Sequence, residues 1–254
     1  MAMPFNISAP VLFYNQDILG RVGYDAENFP TTWKELEVLA KKLKKAGVEC
    51  TYTSAYPGWI LVESYLALHG ISMYDANASQ INLQSLPLKN HFKRLKDWQK
   101  LGYFRYGGRV DDATVLFTGE TCALFSQSSG AYNSLSSVVP FKLGLAVMPL
   151  DTASSAKRYA NVAGGAALWV VNGLSDHQYR GVAQFLRFIA EPHIQKHWHE
   201  HTGYLPIGLK GIYSDLYKTS THPVVKLAKK DLEDHEALPQ INLGPQNQIR
   251  RIID

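Results

Sequence analysis

Hydrophobic positions along the chain recur with two different periods, and together they predict strands alternating with helices. Residues 8–15, 50–54, 121–126, 143–148 and 167–171 have the short extended or alternating character of strands. The last two are apolar on both faces, which predicts a buried sheet. Short strands separated by helical segments are typical of an α/β fold.

Residues 32–46 form the clearest predicted helix. Thr32 and Glu35 fit a capping box at its start, and Gly47 marks its end. Its apolar stripe consists of Leu36, Leu39, Leu43 and Ala46. Four lysines in its last turns suit the negative end of the helix dipole, so a solvated face is favoured over a basic binding patch.

Further helices follow from the same period and from their end signals. Ser175 and Gln178 cap a helix whose apolar side carries Tyr179, Val182, Phe185, Leu186 and Ile189. Another helix presents a stripe of Phe92, Leu95, Trp98 and Leu101 and ends at Gly102. The remaining predicted helices are residues 17–22, 59–69, 112–117, 131–137, 192–202 and 224–233.

Composition indicates a globular protein of one or two domains. The chain has 254 residues, of which 46% are hydrophobic and 19% charged. Lys and Arg total 26 against 22 Asp and Glu, and a net charge of +4 argues against a dedicated nucleic-acid binder. The sequence contains no apolar run of the roughly 18 residues that a membrane span needs. Residues 1–6 do not have the basic and apolar regions of a signal peptide.

The residues that most often hold metals do not form a metal motif here. His193, His197 and His201 recur every four residues, but HExxH is absent and no third ligand has a fixed spacing, so no metal or cofactor is expected. Cys50 and Cys122 are the two cysteines, and no CxxC occurs. In an oxidising compartment they can form a disulfide, which the sequence does not require.

Candidate binding residues lie at the ends of predicted elements. The run of residues 126–130, SQSSG, follows a strand and precedes a helix, where hydroxyls and free N–H groups suit a phosphate or carboxylate. Simple N-capping by Ser128 or Ser129 needs no ligand, and the spacing alone favours it over a binding site. Tyr56 and Trp59 flank Pro57-Gly58, where they form either an aromatic binding platform or a packed corner of the core. GxSxG, Walker and GxGxxG motifs are absent, which leaves hydrolase and nucleotide functions without support.

Several segments, in order along the whole chain, resemble family 1 of the extracellular solute-binding proteins of ABC importers. TWKEL at 32–36 and FTGETCAL at 117–124 are similar to segments general to the family. More specific stretches resemble members that bind glycerol phosphates: PFN at 4–6, PGWI at 57–60, SSG at 128–130, GGA at 164–166, LWV at 168–170, WH at 198–199, TGYLPI at 202–207 and QIR at 248–250.

The resemblance implies a periplasmic-binding-protein-like (type II) α/β architecture of two lobes. By this resemblance residues 1–138 are mostly second lobe, 139–201 a remnant of the first lobe, and 202–254 a return to the second lobe. The second lobe is then largely complete. The chain is expected to be a fragment that lacks the N-terminal half of the first lobe and the C-terminal helices.

The resemblance also implies a function and a site. The expected protein is a periplasmic substrate-binding subunit, without enzymatic chemistry or cofactor, that delivers sn-glycerol 3-phosphate or a glycerophosphodiester to a membrane permease and its ATPase. The implied ligand-binding residues are Ser8, Tyr56, Trp59, Ser128, Gly165, Tyr204 and Arg250. Tyr56 departs from the family pattern, which has Trp there.

Two alternatives remain open. A phosphoester hydrolase would need the histidine face or the serines of residues 126–129 to be catalytic. A binding protein for a neutral sugar would share the fold but would not need the phosphate.

Overall fold

A computed structural model describes residues 2–75, 80–207, 220–232, 235–237 and 246–254. In chain order its strands are β1 (Ala2–Ser8), β2 (Pro10–Asn15), β3 (Cys50–Ser54), β4 (Tyr74–Asp75), β5 (Gln80–Ile81), β6 (Cys122–Ser128), β7 (Leu143–Val147) and β8 (Gly164–Trp169). Its α-helices are α1 (Gln16–Gly20), α2 (Trp33–Lys45), α3 (Tyr65–Leu68), α4 (Leu86–Leu101), α5 (Thr114–Thr118), α6 (Tyr132–Val138), α7 (Asp176–Ile189), α8 (Pro192–Thr202), α9 (Pro223–Leu232) and α10 (Gln246–Ile253). The predicted mixture of strands and helices is confirmed.

The main sheet has four strands in the order β3-β6-β2-β7. β2 runs antiparallel to both of its neighbours, and β3 runs parallel to β6. Every residue of β2 and β3 is buried, because helices and loops cover both faces. Cys50 and Cys122 face each other on the paired strands β3 and β6 and form a disulfide.

Helix α2 forms for the reasons that the sequence indicates. The Thr32 side chain accepts from the Glu35 backbone N–H while the Glu35 carboxylate accepts from the Thr32 N–H, so the predicted capping box is confirmed. Leu36, Leu39 and Leu43 are buried in the main core. The lysines at 41, 42, 44 and 45 are exposed, as a solvated face requires.

A separate two-stranded ladder joins the start of the chain to its middle. β1 pairs antiparallel with β8 from Ala2–Trp169 to Ser8–Gly164. β8 does not lie in a buried sheet as predicted: its side chains are half-buried or exposed, and Trp169 is 76% exposed. β7, also predicted to be buried on both faces, is an edge strand of the main sheet and is mostly half-buried.

Two predicted helices differ in detail. In α4 the buried residues are Leu88, His91, Leu95 and Trp98, whereas Phe92 and Leu101 of the predicted stripe are exposed. The buried face is therefore shifted by about one residue, because the histidine takes an interior position. The helix predicted at 59–69 begins as a π-helical segment, Gly58–Ser64, and becomes α-helical only in α3.

Strand pairing bears on the expected division into lobes. β7 lies within residues 139–201 but bonds to β2 of the main sheet, and β1 lies within residues 1–138 but pairs with β8. The pairing therefore favours lobe boundaries near Ala9 and between β7 and β8 over a boundary at residue 139. The assignment of each part to a lobe stays a prediction.

No helix in the described residues is long and apolar enough to cross a membrane.

Candidate functional site

Residues from distant parts of the chain surround one cavity of about 270 Å³ that opens to solvent. All seven residues expected to bind a ligand line it: Ser8, Tyr56, Trp59, Ser128, Gly165, Tyr204 and Arg250. Asn6, Gly164 and Asp254 complete the lining. That these seven contact a ligand stays a prediction, whereas their convergence on one cavity is an observation.

One wall of the cavity is the end of the β1/β8 ladder, where Ser8 lies opposite Gly164. Gly165 has a φ of +143°, and a Cβ atom there would lie 1.8 Å from the carbonyl oxygen of Asn6. A side chain at 165 would break the ladder, so this position requires glycine. The Asn6 side-chain oxygen accepts from the Ala166 N–H at 2.8 Å and stabilises the same part of β8.

Two aromatic rings form the apolar wall. Tyr56 and Trp59 meet edge to face with their centroids 6.1 Å apart. Tyr56 ends the loop after β3 with a φ of +43°. Its carbonyl oxygen accepts from the Ile60 N–H, where the π-helical segment begins. A Cβ atom on Gly164 would lie 2.5 Å from the Trp59 ring, so glycine allows the indole to contact the ladder. The Trp59 Nε1–H is buried and has no hydrogen-bond partner among the described residues.

The Ser128 hydroxyl caps a short 3₁₀ turn at the end of β6. It accepts from the Gly130 N–H at 3.2 Å, which leaves its own O–H free to donate. Ser129 instead connects this turn to Ala9, the residue between β1 and β2, since its Oγ accepts from the Ala9 N–H at 3.1 Å. The capping interpretation of the serine run is thus correct, and it is compatible with ligand contact by Ser128.

Tyr204 reaches the cavity from the loop after α8. Gly203 ends that helix at a φ of +75°, as predicted. His199 Nδ1 lies 2.7 Å from the Tyr204 carbonyl oxygen and therefore donates to it. Its Nε2 lies 3.0 Å from Ser220 Oγ, within hydrogen-bond distance. The buried imidazole therefore stabilises the loop that carries Tyr204. A Cβ atom on Gly130 would lie 2.6 Å from the Tyr204 ring.

Arg250 enters from α10 and is held by a carboxylate that the sequence analysis did not identify. Its Nε and Nη2 donate to the two oxygens of Glu63 at 2.7 and 2.6 Å, a bidentate pair across 187 residues. Glu63 is buried in the π-helical segment. Asp254 Oδ1 accepts from the Gly58 N–H at 2.6 Å and caps the start of that segment.

Burial and nearby charges act on the phenol of Tyr56 in the cavity. Burial first, and then the charges of Asp111, Tyr204 and Asp254, raise the pKa of the Tyr56 hydroxyl. It therefore remains a donor at neutral pH. Together the lining offers hydroxyl donors, a guanidinium and aromatic faces, a combination that can hold an anionic group and cover a short carbon chain.

Of the alternative catalytic residues, Ser126 and the histidines of α8 are not part of this cavity lining. Ser126 is buried and hydrogen-bonds to the hydroxyls of Tyr52 and Ser54 at 2.8 and 2.7 Å. Within the described residues, no group of three potential metal ligands is found. His197 and His201 contact each other with tilted rings on the exposed side of α8, where His201 Nδ1 contacts the His197 carbonyl oxygen.

Comparisons with known proteins agree with this picture. The model of the bacterial extracellular solute-binding protein family matches residues 1–223. The sn-glycerol-3-phosphate-binding periplasmic protein UgpB of Yersinia pestis is 33% identical over all of this chain. The chain spans 60% of the length of that relative.

Two solved structures share the fold at low identity. UgpB from Mycobacterium tuberculosis in complex with glycerophosphocholine has a TM-score of 0.79 at 18% identity, covering 99% of this chain and 64% of that one. The GacH receptor of Streptomyces glaucescens, solved unliganded and with acarbose, has a TM-score of 0.78 at 19% identity with the same coverage. The α/β fold is therefore that of periplasmic binding proteins, and the chain belongs to the bacterial extracellular solute-binding proteins.

Proposed function

We propose that the chain is part of the substrate-binding subunit of an ABC importer and binds sn-glycerol 3-phosphate or a glycerophosphodiester. One observation carries the proposal: seven residues spread from position 8 to position 250 line a single cavity. The relatives named for sn-glycerol 3-phosphate support the ligand class, because they are similar along the whole of this chain.

The lining gives each ligand group a matching partner. Arg250 has five N–H donors, and its pair with Glu63 uses two of them, so three remain for phosphate oxygens. The hydroxyls of Ser8, Ser128 and Tyr204 add neutral donors. Tyr56 and Trp59 cover the glycerol carbons. The proposal needs neither metal nor cofactor.

Capture would lead to transport through partners rather than to chemistry. The proposed partners are a membrane permease and its ATPase subunits, and the proposed compartment is the periplasm, in keeping with periplasmic relatives. Closure around the ligand requires that the ligand binds the closed state more tightly than the open one. Neither nucleic acid nor direct membrane insertion has a part in this function.

Ligand titration tests the proposal. The Trp59 indole N–H signal in NMR should shift on addition of sn-glycerol 3-phosphate and of glycerophosphocholine, and shift less with glycerol. Arg250→Ala should weaken binding by about 1.5–3 kcal/mol, because a guanidinium pairs two oxygens and alanine none. Arg251→Ala on the exposed side of α10 is the matched control. Unchanged affinity in Arg250→Ala would remove this residue from the site.

A neutral sugar is the second candidate. Its support is the fold shared with an acarbose-bound receptor and the aromatic pair in the cavity. Maltose that shifts the Trp59 signal while phosphate esters do not would favour it. Hydrolysis of glycerophosphodiesters by the pure protein, lost in Ser128→Ala, would favour the hydrolase instead.

A further inference from the structure

The charges around the cavity are unusual for a site that binds a phosphate. Among the lining residues that the structure describes, Arg250 is the one cation, and Asp254 is a carboxylate in the same lining. The positive charge of Arg250 is already paired with Glu63, whose carboxylate is only 3% exposed. Asp111 adds a third carboxylate near enough to influence Tyr56.

These groups leave little net positive charge for a ligand. A guanidinium paired with a buried carboxylate still donates hydrogen bonds but attracts a distant anion weakly, because the two charges nearly cancel. Asp254 then repels any anion in the cavity. Its side chain is held in place by the Gly58 N–H and its backbone by Tyr106 and Arg250, so it cannot simply turn away.

We infer that this pocket selects a phosphate that carries one negative charge. A glycerophosphodiester, or glycerol 3-phosphate in its singly ionised form, would bind, and the doubly ionised monoester would be disfavoured. Glu63 acts as the positioning and specificity-determining residue: it fixes the Arg250 fork and cancels the charge that a dianion would need. This inference rests on the proposed function.

The second ionisation of a phosphate monoester provides the test. Its pKa is about 6, so the singly ionised fraction falls about 25-fold between about pH 5.5 and about pH 7.5. The dissociation constant of glycerol 3-phosphate for the full chain should rise by about that factor over this range. Glycerophosphoglycerol, a diester with no second ionisation, should bind with nearly constant affinity.

The diester also controls for titration of the protein. His199 holds the loop that carries Tyr204, and His222 packs against the His199 ring. Any change in the charge of these two histidines affects both ligands alike. The other titratable groups that face the cavity or its lining are Tyr56, Tyr204, Arg250, Asp111, Asp254 and Glu63, and the diester controls for them in the same way.

Two variants separate a specificity role from a structural one. Glu63→Gln keeps an oxygen for Arg250 but removes the charge. It should lower about tenfold the ratio of the glycerol 3-phosphate dissociation constant at the higher pH to that at the lower pH, and it should affect the diester less. Asp254→Asn keeps an acceptor for Gly58 and should act in the same direction if Glu63→Gln does not fold. Asp97→Asn, an exposed carboxylate on α4, is the matched control.

The outcomes are distinct. A flat profile for glycerol 3-phosphate, or tighter binding at the higher pH, would overturn the inference while leaving the proposed function intact. Binding of neither ester at either pH would overturn the proposed function itself. A rise confined to glycerol 3-phosphate, reduced in either charge-removing variant, supports the inference.

Discussion

Two of the three sheets in the described residues, the main sheet and the β1/β8 ladder, bury their hydrophobic residues to very different extents. In the main sheet, β2, β3 and β6 are almost wholly buried, with Phe125 at 0% exposure. On β8 and on α7, the next helix along the chain, Trp169 is 76% and Phe185 53% exposed, although strand and helix form there as well. Regular secondary structure therefore needs much less than a closed core: paired strands and capped helices satisfy the backbone even where side chains meet water.

The largest expected effect comes from truncating one phenylalanine in each region. Phe125 stacks on Phe117 in the main core, so Phe125→Ala should lower the free energy of unfolding by about 3–5 kcal/mol. Phe185→Ala on α7 should change it by less than about 0.5 kcal/mol, because the ring is half exposed already. Urea unfolding followed by circular dichroism measures both. Equal losses would show that the two regions share one core.

Reduction of the disulfide should weaken the main sheet alone. The Cys50–Cys122 bond closes a separation of 72 residues between β3 and β6, and its loss should cost about 2–4 kcal/mol. Cys50→Ser with Cys122→Ser should reproduce the effect of a reducing agent on the unfolding midpoint. A midpoint that responds to neither change would mean that the strands hold together without the bond.

Acid should also act on the main region. Burial first, then the charge of Arg94 and of His69, lowers the pKa of His91 far below its ordinary value, and burial lowers that of His69. The unfolded chain therefore binds more protons below about pH 6.5, and stability should fall as the pH falls, by up to ~1.4 kcal/mol per pH unit for each histidine.

His91→Phe should remove part of that slope, because phenylalanine does not titrate. The phenylalanine ring can keep the stacking on Tyr65. His193→Gln, at an exposed position on α8, controls for the loss of a histidine. Urea midpoints measured between about pH 7 and about pH 5.5 provide the readout. If His91→Phe keeps the slope of the unaltered chain, the acid response originates elsewhere.

The smallest effect on stability, but a visible one on association, is expected at the ladder. Trp169→Ser should leave the unfolding free energy within about 0.5 kcal/mol and reduce self-association. It removes a large exposed ring beside the edge of β8 that pairs with no strand in the described residues. Light scattering against concentration measures this. Leu86→Ser, which is 68% exposed on α4, is the control; an equal reduction there would show that no particular patch drives association.

Local sequence signals predicted most of the elements, and the misses have physical causes. The boxes at Thr32 and Ser175 and the glycine ends at 47, 102 and 203 all act within a few residues, so one sequence suffices to find them. The exposure of β8 was missed because an apolar strand has the same pattern whether or not another element covers it. The stripe of α4 was misplaced because His91 reads as polar yet is buried.

The site divides in the same way. Its seven predicted members were identified by resemblance, and the structure brings them together. Glu63 and Asp254 were missed because their roles depend on partners 187 and 196 residues away. A glutamate inside an apolar helical run, GWILVES, is the signal that would have indicated a buried ion pair, since an unpaired carboxylate is rarely buried.

The contacts between the π-helical segment and α10 have a consequence for the order of events during folding. Closing a loop of almost 200 residues is slower than forming helices or pairing strands over shorter separations, because contacts of large sequence separation form late. The Arg250–Glu63 pair and the Asp254 cap on Gly58 join the last residues to the first quarter of the chain. A refolding chain should therefore regain its sheet and its disulfide-linked strands first, and should acquire its affinity for ligand only in a later, separate kinetic phase.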